Sequence, residues 1–172
     1  MTPEPAIASA ADLLACAHAM EVEAAERYEA FAAQMEQHGN LEIAALFAKL
    51  AAIERKHADA LAADLESGGH ALGARAALAA PGSEGLETGS GDALHYLMTP
   101  MHALAIALAN EQRAFAFFAD LAERSLLVEV RRLAGDFAAE EKAHIALVRN
   151  WLEGLPRPAE DWDYDPDEPR ME

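Results

Sequence analysis

The feature that most constrains the fold is an internal repeat with an offset of 87 residues. The first copy contains Glu54-Arg55-Lys56-His57, and the second contains Glu141-Lys142-Ala143-His144. The same offset aligns three pairs of apolar residues, namely Leu46 with Leu133, Leu50 with Phe137 and Leu61 with Val148. A chain with this repeat is expected to fold as two similar halves whose Glu-x-x-His motifs occupy equivalent positions.

The composition indicates what those halves are made of. The chain has 42 alanines, whereas Val, Ile and Thr together occur only 12 times. Alanine is the strongest helix former, and β-branched residues are the ones that strands prefer. The sequence therefore predicts an all-α protein and argues against a sandwich, a barrel or a βαβ fold.

Four long helices are predicted from residues of the capping type, which accept hydrogen bonds from the first turn of a helix. The predicted caps are Ser9 (with Asp12), Asn40, Thr99 before Pro100, and Ser125. The helices are expected to end near residues 37, 66, 124 and 153, where Gly39 and Gly154 follow the first and the last. Two short helices are also expected, at 74–80 and 92–98.

The lengths of the connections predict the topology. Only a few residues separate the first helix from the second and the third from the fourth, so each pair is expected to be an antiparallel hairpin. Between the hairpins, residues 67–91 hold seven of the ten glycines and are long enough to cross from one end of a bundle to the other. We expect a four-helix bundle over residues 1–156 and an acidic tail over residues 157–172.

Acidic residues fall inside the apolar stripes of all four helices. On the second and fourth helices these are the Glu residues of the Glu-x-x-His motifs. On the first and third helices, a Glu lies seven residues before an aromatic residue, Tyr28 or Phe118. The four residues are Glu21, Glu54, Glu111 and Glu141. Burying an unpaired carboxylate costs several kcal/mol. Two divalent cations would cancel the four charges, and two imidazoles would complete the coordination, since residues three apart share a helix face.

Two alternatives remain open at this point. The acids could lie at the edge of the core and pair with Arg27, Arg55 or Arg113, although this leaves the repeat unexplained. Glu140 could also replace Glu141, because residues four apart reach the same neighbour as residues three apart.

The six residues in this pattern resemble the rubrerythrin and ferritin-like di-iron carboxylate family over about residues 10–153. The resemblance implies a ferritin-like four-helix bundle that binds two iron ions, with manganese or zinc as possible substitutes. The implied ligands are Glu21, Glu54, His57, Glu111, Glu141 and His144. Glu54 and Glu141 would be the bridging carboxylates. Members of the family oxidise ferrous iron, reduce peroxide, or store and handle iron.

The chain also departs from rubrerythrins proper. These carry a further Glu one turn after the ligand on the third helix, where this chain has Ala114. They usually carry a rubredoxin domain as well, whereas Cys16 is the only cysteine here. The retained ligands are closer to the ferritin-type arrangement, in which the irons react directly with oxygen or peroxide.

Several other residues are weaker candidates. The hydroxyl of Tyr28 would hydrogen-bond a ligand carboxylate or a bound oxygen species. His18 lies one turn before Glu21 and is either a supporting residue or simply an interior one. Asp92, His95 and His102 are interpreted as a polar helix end, with a second metal site as the alternative.

The net charge of -17 limits the partners. It disfavours nucleic acid and anionic membrane surfaces, which bind basic proteins. The acidic tail, with seven acids and one base over 159–172, is expected to be solvated, with a partner-binding or iron-gathering role as the alternative. With no secretory signal and a single thiol, the sequence predicts a cytoplasmic protein. We also expect a homodimer or a larger homo-oligomer.

Three functions follow from these observations. The first is a non-haem di-iron oxidoreductase, a ferroxidase or a peroxidase, that reacts Fe(II) with oxygen or hydrogen peroxide and uses an unidentified electron donor. The second is an iron-binding or storage protein without efficient turnover. The third is a metal-free helical interaction domain.

Overall fold

The structure, a computed structural model, describes residues 7–68, 97–157 and 160. Its four helices are α1 (Ala10–Gln37), α2 (Leu41–Ser67), α3 (Pro100–Arg124) and α4 (Val128–Glu153). No strand occurs in these ranges, so the predicted all-α class is confirmed. None of the helices is long and apolar enough to cross a membrane. Three predicted features lie mostly outside the described residues. They are the crossover from residue 69, the two short helices (except residues 97–98) and the tail (except residues 157 and 160).

Three of the four predicted caps are where the sequence indicated. Ser9 accepts a hydrogen bond from the backbone nitrogen of Asp12 at 3.1 Å, and Asn40 accepts one from Ile43 at 3.3 Å. Thr99 forms a capping box with His102. These bonds satisfy backbone donors that a helix start leaves without partners.

The predicted cap of the fourth helix was wrong. Ser125 instead terminates α3, where its backbone nitrogen donates to the Leu121 carbonyl, and α4 begins after Leu127. The reason is that Ser125 has an extended backbone, and its hydroxyl accepts from the nitrogen of Leu127 at 3.2 Å. The hydroxyl therefore stabilises the turn between the two helices.

The α1–α2 turn fixes the topology of the bundle. Gly39 allows a tight reversal because it adopts a φ of 78°, which favours glycine. Asn40 then donates from its side chain to the Met98 carbonyl at 2.9 Å, which places the start of α3 beside this turn. α2 and α3 both begin beside this turn, and α2 ends a helix length away from it. The two helices therefore run in the same direction. α1 packs on α2 and α3 on α4 as hairpins, and the predicted four-helix bundle is confirmed.

The core consists of two apolar clusters. One is built around Tyr28, Phe47 and Leu104, and the other around Leu13, Phe118 and Phe137. On each helix, the Glu residue of the repeat lies in sequence between residues of one cluster and residues of the other. The bundle thus places these carboxylates in the middle of its length.

The apolar pairs of the repeat occupy similar environments in both hairpins. Leu50 and Phe137 are both buried, as are Leu61 and Val148, while Leu46 and Leu133 are half-buried. Phe47 on α2 is also fully buried and stacks on Tyr28 with ring centroids 6.0 Å apart.

Candidate metal centre

Three glutamates are the buried charged residues of the described chain. Their exposed fractions are 4% for Glu54, 5% for Glu111 and 6% for Glu141. The side chain of Glu21 is 14% exposed, and the exposed Glu140 lies outside this group. Carboxylates are almost never buried without a partner, so their immediate neighbours decide what the site does.

His144 joins the two glutamates of the second hairpin. Its Nδ1 lies 3.2 Å from Oε2 of Glu111 on α3 and 3.5 Å from Oε2 of Glu141, one turn earlier on α4. Donor atoms of these three residues all lie within 4.8 Å of one another. This spacing is compatible with one metal ion coordinated by all three.

The first hairpin contributes a looser half. Nδ1 of His57 lies 4.0 Å from Oε2 of Glu21, and Glu21 shares a hydrogen bond with Glu54. The rings of His57 and His144 stack with centroids 4.6 Å apart, and Glu54, His57 and His144 form a second group with donor atoms within 4.8 Å of one another. All six residues that the sequence singled out therefore meet in one cluster.

Proximity and burial shift the protonation of this cluster. Burial, the hydrogen bond with Glu54 and the nearby carboxylates raise the pKa of Glu21 to about 10. Burial also raises the pKa of Glu54, and it raises that of Glu141 to about 7. Burial by itself would lower the pKa of His144, but its hydrogen bonds with two glutamates raise it to about 11. Without metal, protons are what offset the buried negative charge.

His57 behaves differently from His144. Its pKa is lowered, first by burial and then by the positive charge of His144. A neutral imidazole has a free nitrogen lone pair, which is the form that binds a metal.

The arginines that could have paired with these acids have other partners. Arg27 contacts Glu23 at 2.7 Å, and Arg55 contacts Glu29 at 2.8 Å. Arg113 donates to the side chain of Asn110. In the described ranges the structure therefore gives no support to the alternative in which these arginines neutralise the buried glutamates.

The side chain of Tyr28 on α1 is fully buried. Its hydroxyl accepts a hydrogen bond from Nδ2 of Asn110 at 3.2 Å. Burial and the negative charge of Glu111 raise the pKa of Tyr28, so the phenol stays protonated. The hydroxyl proton remains available for donation beside the cluster.

The remaining candidates lie elsewhere. His102 takes part in the cap of α3, where its Nδ1 accepts from the Thr99 nitrogen at 3.0 Å. Asp92 and His95 lie outside the described residues, and His18 is half-buried on α1.

A cavity of about 70 Å³ reaches the cluster from one side of the bundle. Four of its lining residues are Glu21, Glu54, Glu111 and Glu141, and Ala114 also lines it. The sequence did not single out Asn110, whose side chain contacts Tyr28, Arg27 and Arg113. Its position directly before Glu111 was the one available signal.

The comparison with known proteins agrees with this geometry. A family model described as rubrerythrin matches residues 12–152. The chain belongs to the rubrerythrin family.

One solved structure in this group is the crystal structure of an uncharacterised conserved protein from Magnetospirillum magnetotacticum MS-1. It is 38% identical to this chain with a TM-score of 0.63, over 88% of this chain and 98% of that one. No curated protein matches the chain. The donor set, four carboxylates with two imidazoles, fits the iron that rubrerythrins typically bind.

Proposed function

We propose that this protein is a di-iron carboxylate oxidoreductase that reacts its irons with oxygen or hydrogen peroxide, as a ferroxidase or a peroxidase. One observation carries the proposal, namely that six potential ligands from four helices lie in a single cluster around three buried glutamates. The proposed ligands are Glu21, Glu54, His57, Glu111, Glu141 and His144.

The charge of the cluster supports two divalent ions. Four ionised carboxylates carry four negative charges, which two divalent cations cancel. The imidazoles add nitrogen ligands without adding negative charge. Carboxylate and imidazole suit iron, and they also admit manganese or zinc. Iron held here would supply one-electron redox chemistry next to a site for a small oxidant.

The protein's own groups would handle the protons. Because metal ligands must be deprotonated, Glu21, Glu141 and His144 release the protons that they hold in the metal-free protein. The cavity lined by Glu21 and Glu111 gives a small oxidant access to the cluster. Burial raises the pKa of Tyr28 and keeps its phenol protonated, and the phenol oxygen accepts a hydrogen bond from Asn110, which lines this cavity.

The proposal is tested by mixing protein loaded anaerobically with Fe(II) against oxygen or hydrogen peroxide in a stopped-flow spectrometer. We expect oxidation of about two irons per chain in a fast phase, and the faster oxidant identifies the reaction. Glu141→Ala is expected to abolish this phase. Glu140→Ala is the matched control, because Glu140 is adjacent in sequence but exposed, and it is expected to keep the phase.

Two results would contradict the proposal. One is a rate equal to that of Fe(II) in buffer alone. The other is uptake and oxidation of many irons per chain with no distinct phase at two, which would indicate storage instead.

A further inference from the structure

Two arginines converge at the wall of the cavity that reaches the glutamate cluster. Arg27 comes from α1 and Arg113 from α3, and both line the cavity. Nη1 of Arg27 lies 3.5 Å from Oδ1 of Asn110, and Nη2 of Arg113 contacts the same oxygen. We call these two residues the arginine pair.

The arginine pair is only partly satisfied by the protein. Nε of Arg27 is the one buried side-chain nitrogen or oxygen in the described ranges that has no hydrogen-bond partner. A buried donor without a partner is destabilising, so such a group is normally explained by a bound molecule or by function. The unpaired donor belongs to a residue of the cavity wall.

The charges around the pair are also unbalanced. Glu23 forms an ion pair with Arg27, but Arg113 forms none with any described residue and contacts only the neutral amide of Asn110. Asn110 is held in place, because its Nδ2 donates to Tyr28. Its Oδ1 accepts hydrogen bonds from both guanidinium groups but carries no negative charge to neutralise them.

We propose that the arginine pair is a binding site for a small oxyanion, which occupies the cavity beside the metal centre. Guanidinium groups bind carboxylate and tetrahedral oxyanions through paired N–H donors. A cavity of about 70 Å³ has room for an ion of a few heavy atoms.

This inference rests on the proposed function, since the metal centre decides the charge of the cavity. Glu21, Glu54, Glu111 and Glu141 line it as well; in the metal-free protein bound protons offset only part of their negative charge, and the remainder repels an anion. Two bound divalent ions cancel those charges and leave one guanidinium in excess over Glu23. The oxyanion therefore binds the metal-loaded protein more tightly than the metal-free protein.

The test is a calorimetric titration of sulfate and of formate, each at constant ionic strength, into metal-free protein and into protein loaded with zinc, which is redox-inert. Zinc uptake is measured first. We expect two zinc ions per chain, and anion binding at least tenfold tighter in the loaded protein. Sulfate binding would indicate a tetrahedral oxyanion, and formate binding alone would indicate a carboxylate.

Three variants assign the binding to the arginine pair. Arg113→Gln, an exposed position, is expected to weaken anion binding at least tenfold without changing zinc uptake. Arg27→Lys keeps the charge but removes Nε, and it is expected to weaken binding as well. Arg149→Gln removes an exposed arginine from α4 outside the cavity and is expected to have no effect.

The outcomes separate this inference from the proposed function. Absence of zinc uptake contradicts the metal centre. Normal zinc uptake with no anion binding, or with binding that Arg113→Gln leaves unchanged, overturns the oxyanion site and leaves the metal centre intact. Binding that is equally tight in the metal-free and loaded protein overturns the coupling between the two.

Discussion

The two hairpins carry the same pattern of proposed ligands but hold their histidines differently. The side chain of His144 is 17% exposed and lies within 3.5 Å of two glutamate oxygens. The side chain of His57 is 35% exposed and is 4.0 Å from the nearest one. The repeat therefore preserves the types of ligand, while the surroundings of each half set how firmly each ligand is positioned.

The first helices of the hairpins differ in a second way. With the two helices aligned on Glu21 and Glu111, Tyr28 corresponds to Phe118, and Arg27 to Phe117. α1 thus brings the Arg27 guanidinium to the cavity and the Tyr28 hydroxyl to Asn110, whereas Phe118 packs against Phe137 with ring centroids 5.2 Å apart. The polar lining of the cavity comes equally from the two helices, with three polar residues from α1 (Glu21, Glu23, Arg27) and three from α3 (Asn110, Glu111, Arg113).

The largest expected difference between the hairpins is in metal affinity. His144 belongs to both groups of candidate ligands and His57 to one. We expect His144→Ala to weaken binding of both metals by about a hundredfold or more, and His57→Ala to weaken one of them by about tenfold. Competition with a chelator of known affinity measures both. Equal losses in the two variants would show that the two halves are equivalent once metal is bound.

The next effect is on the stability of the metal-free protein. Glu21, Glu141 and His144 hold protons in the folded state that the unfolded chain releases, so stability is greatest at mildly acidic pH and falls as pH rises. The stabilisation from the Glu141 proton is lost as pH rises through about 7, and that from the Glu21 proton as pH rises through about 10.

This dependence is measured as Tm against pH in the presence of a chelator. We expect a decrease of several degrees between about pH 6 and pH 9, since each kcal/mol corresponds to roughly 2–4 °C. Glu21→Gln is expected to flatten the upper part of the curve and Glu141→Gln the lower part. A Tm that rises over this range would contradict the proton assignment.

A reciprocal pair of substitutions tests the difference between Tyr28 and Phe118. Tyr28→Phe removes the hydroxyl that Asn110 binds and is expected to cost about 1 kcal/mol. Phe118→Tyr introduces a hydroxyl into an apolar cluster and is expected to cost about 1–3 kcal/mol. Urea denaturation measures both. A neutral Phe118→Tyr would show that the second hairpin accommodates the polar group as well as the first.

The smallest effect concerns the ion pairs of the two hairpins. Arg132 and Asp136 on α4 are more than half exposed, so Arg132→Gln is expected to change stability by less than about 0.5 kcal/mol. Glu23→Gln, in the better buried pair on α1, is expected to cost more. Denaturation of the two variants in parallel makes the comparison, and equal costs would indicate that burial of the α1 pair contributes nothing.

Much of this architecture was accessible from the sequence, because helix period and capping are local properties. Ser9, Asn40 and Thr99 cap helices as predicted, and the Glu-x-x-His spacing identified residues that do meet. Ser125 was misassigned because its hydroxyl can cap a helix or stabilise a turn, and only the backbone that follows decides between them. The contacts of Asn110 with Arg27 and Tyr28 were beyond prediction, since they join residues 82 or more positions apart along the chain.

The measurement that tests the central claim most directly is the number of Fe(II) ions bound per chain in an anaerobic titration. We expect saturation at two in the unchanged protein and loss of tight binding in the double variant Glu54→Ala with Glu141→Ala. Arg149→Gln serves as the surface control and is expected to bind two. Binding of no iron, or the same binding in the double variant, would contradict a di-iron centre between the two hairpins.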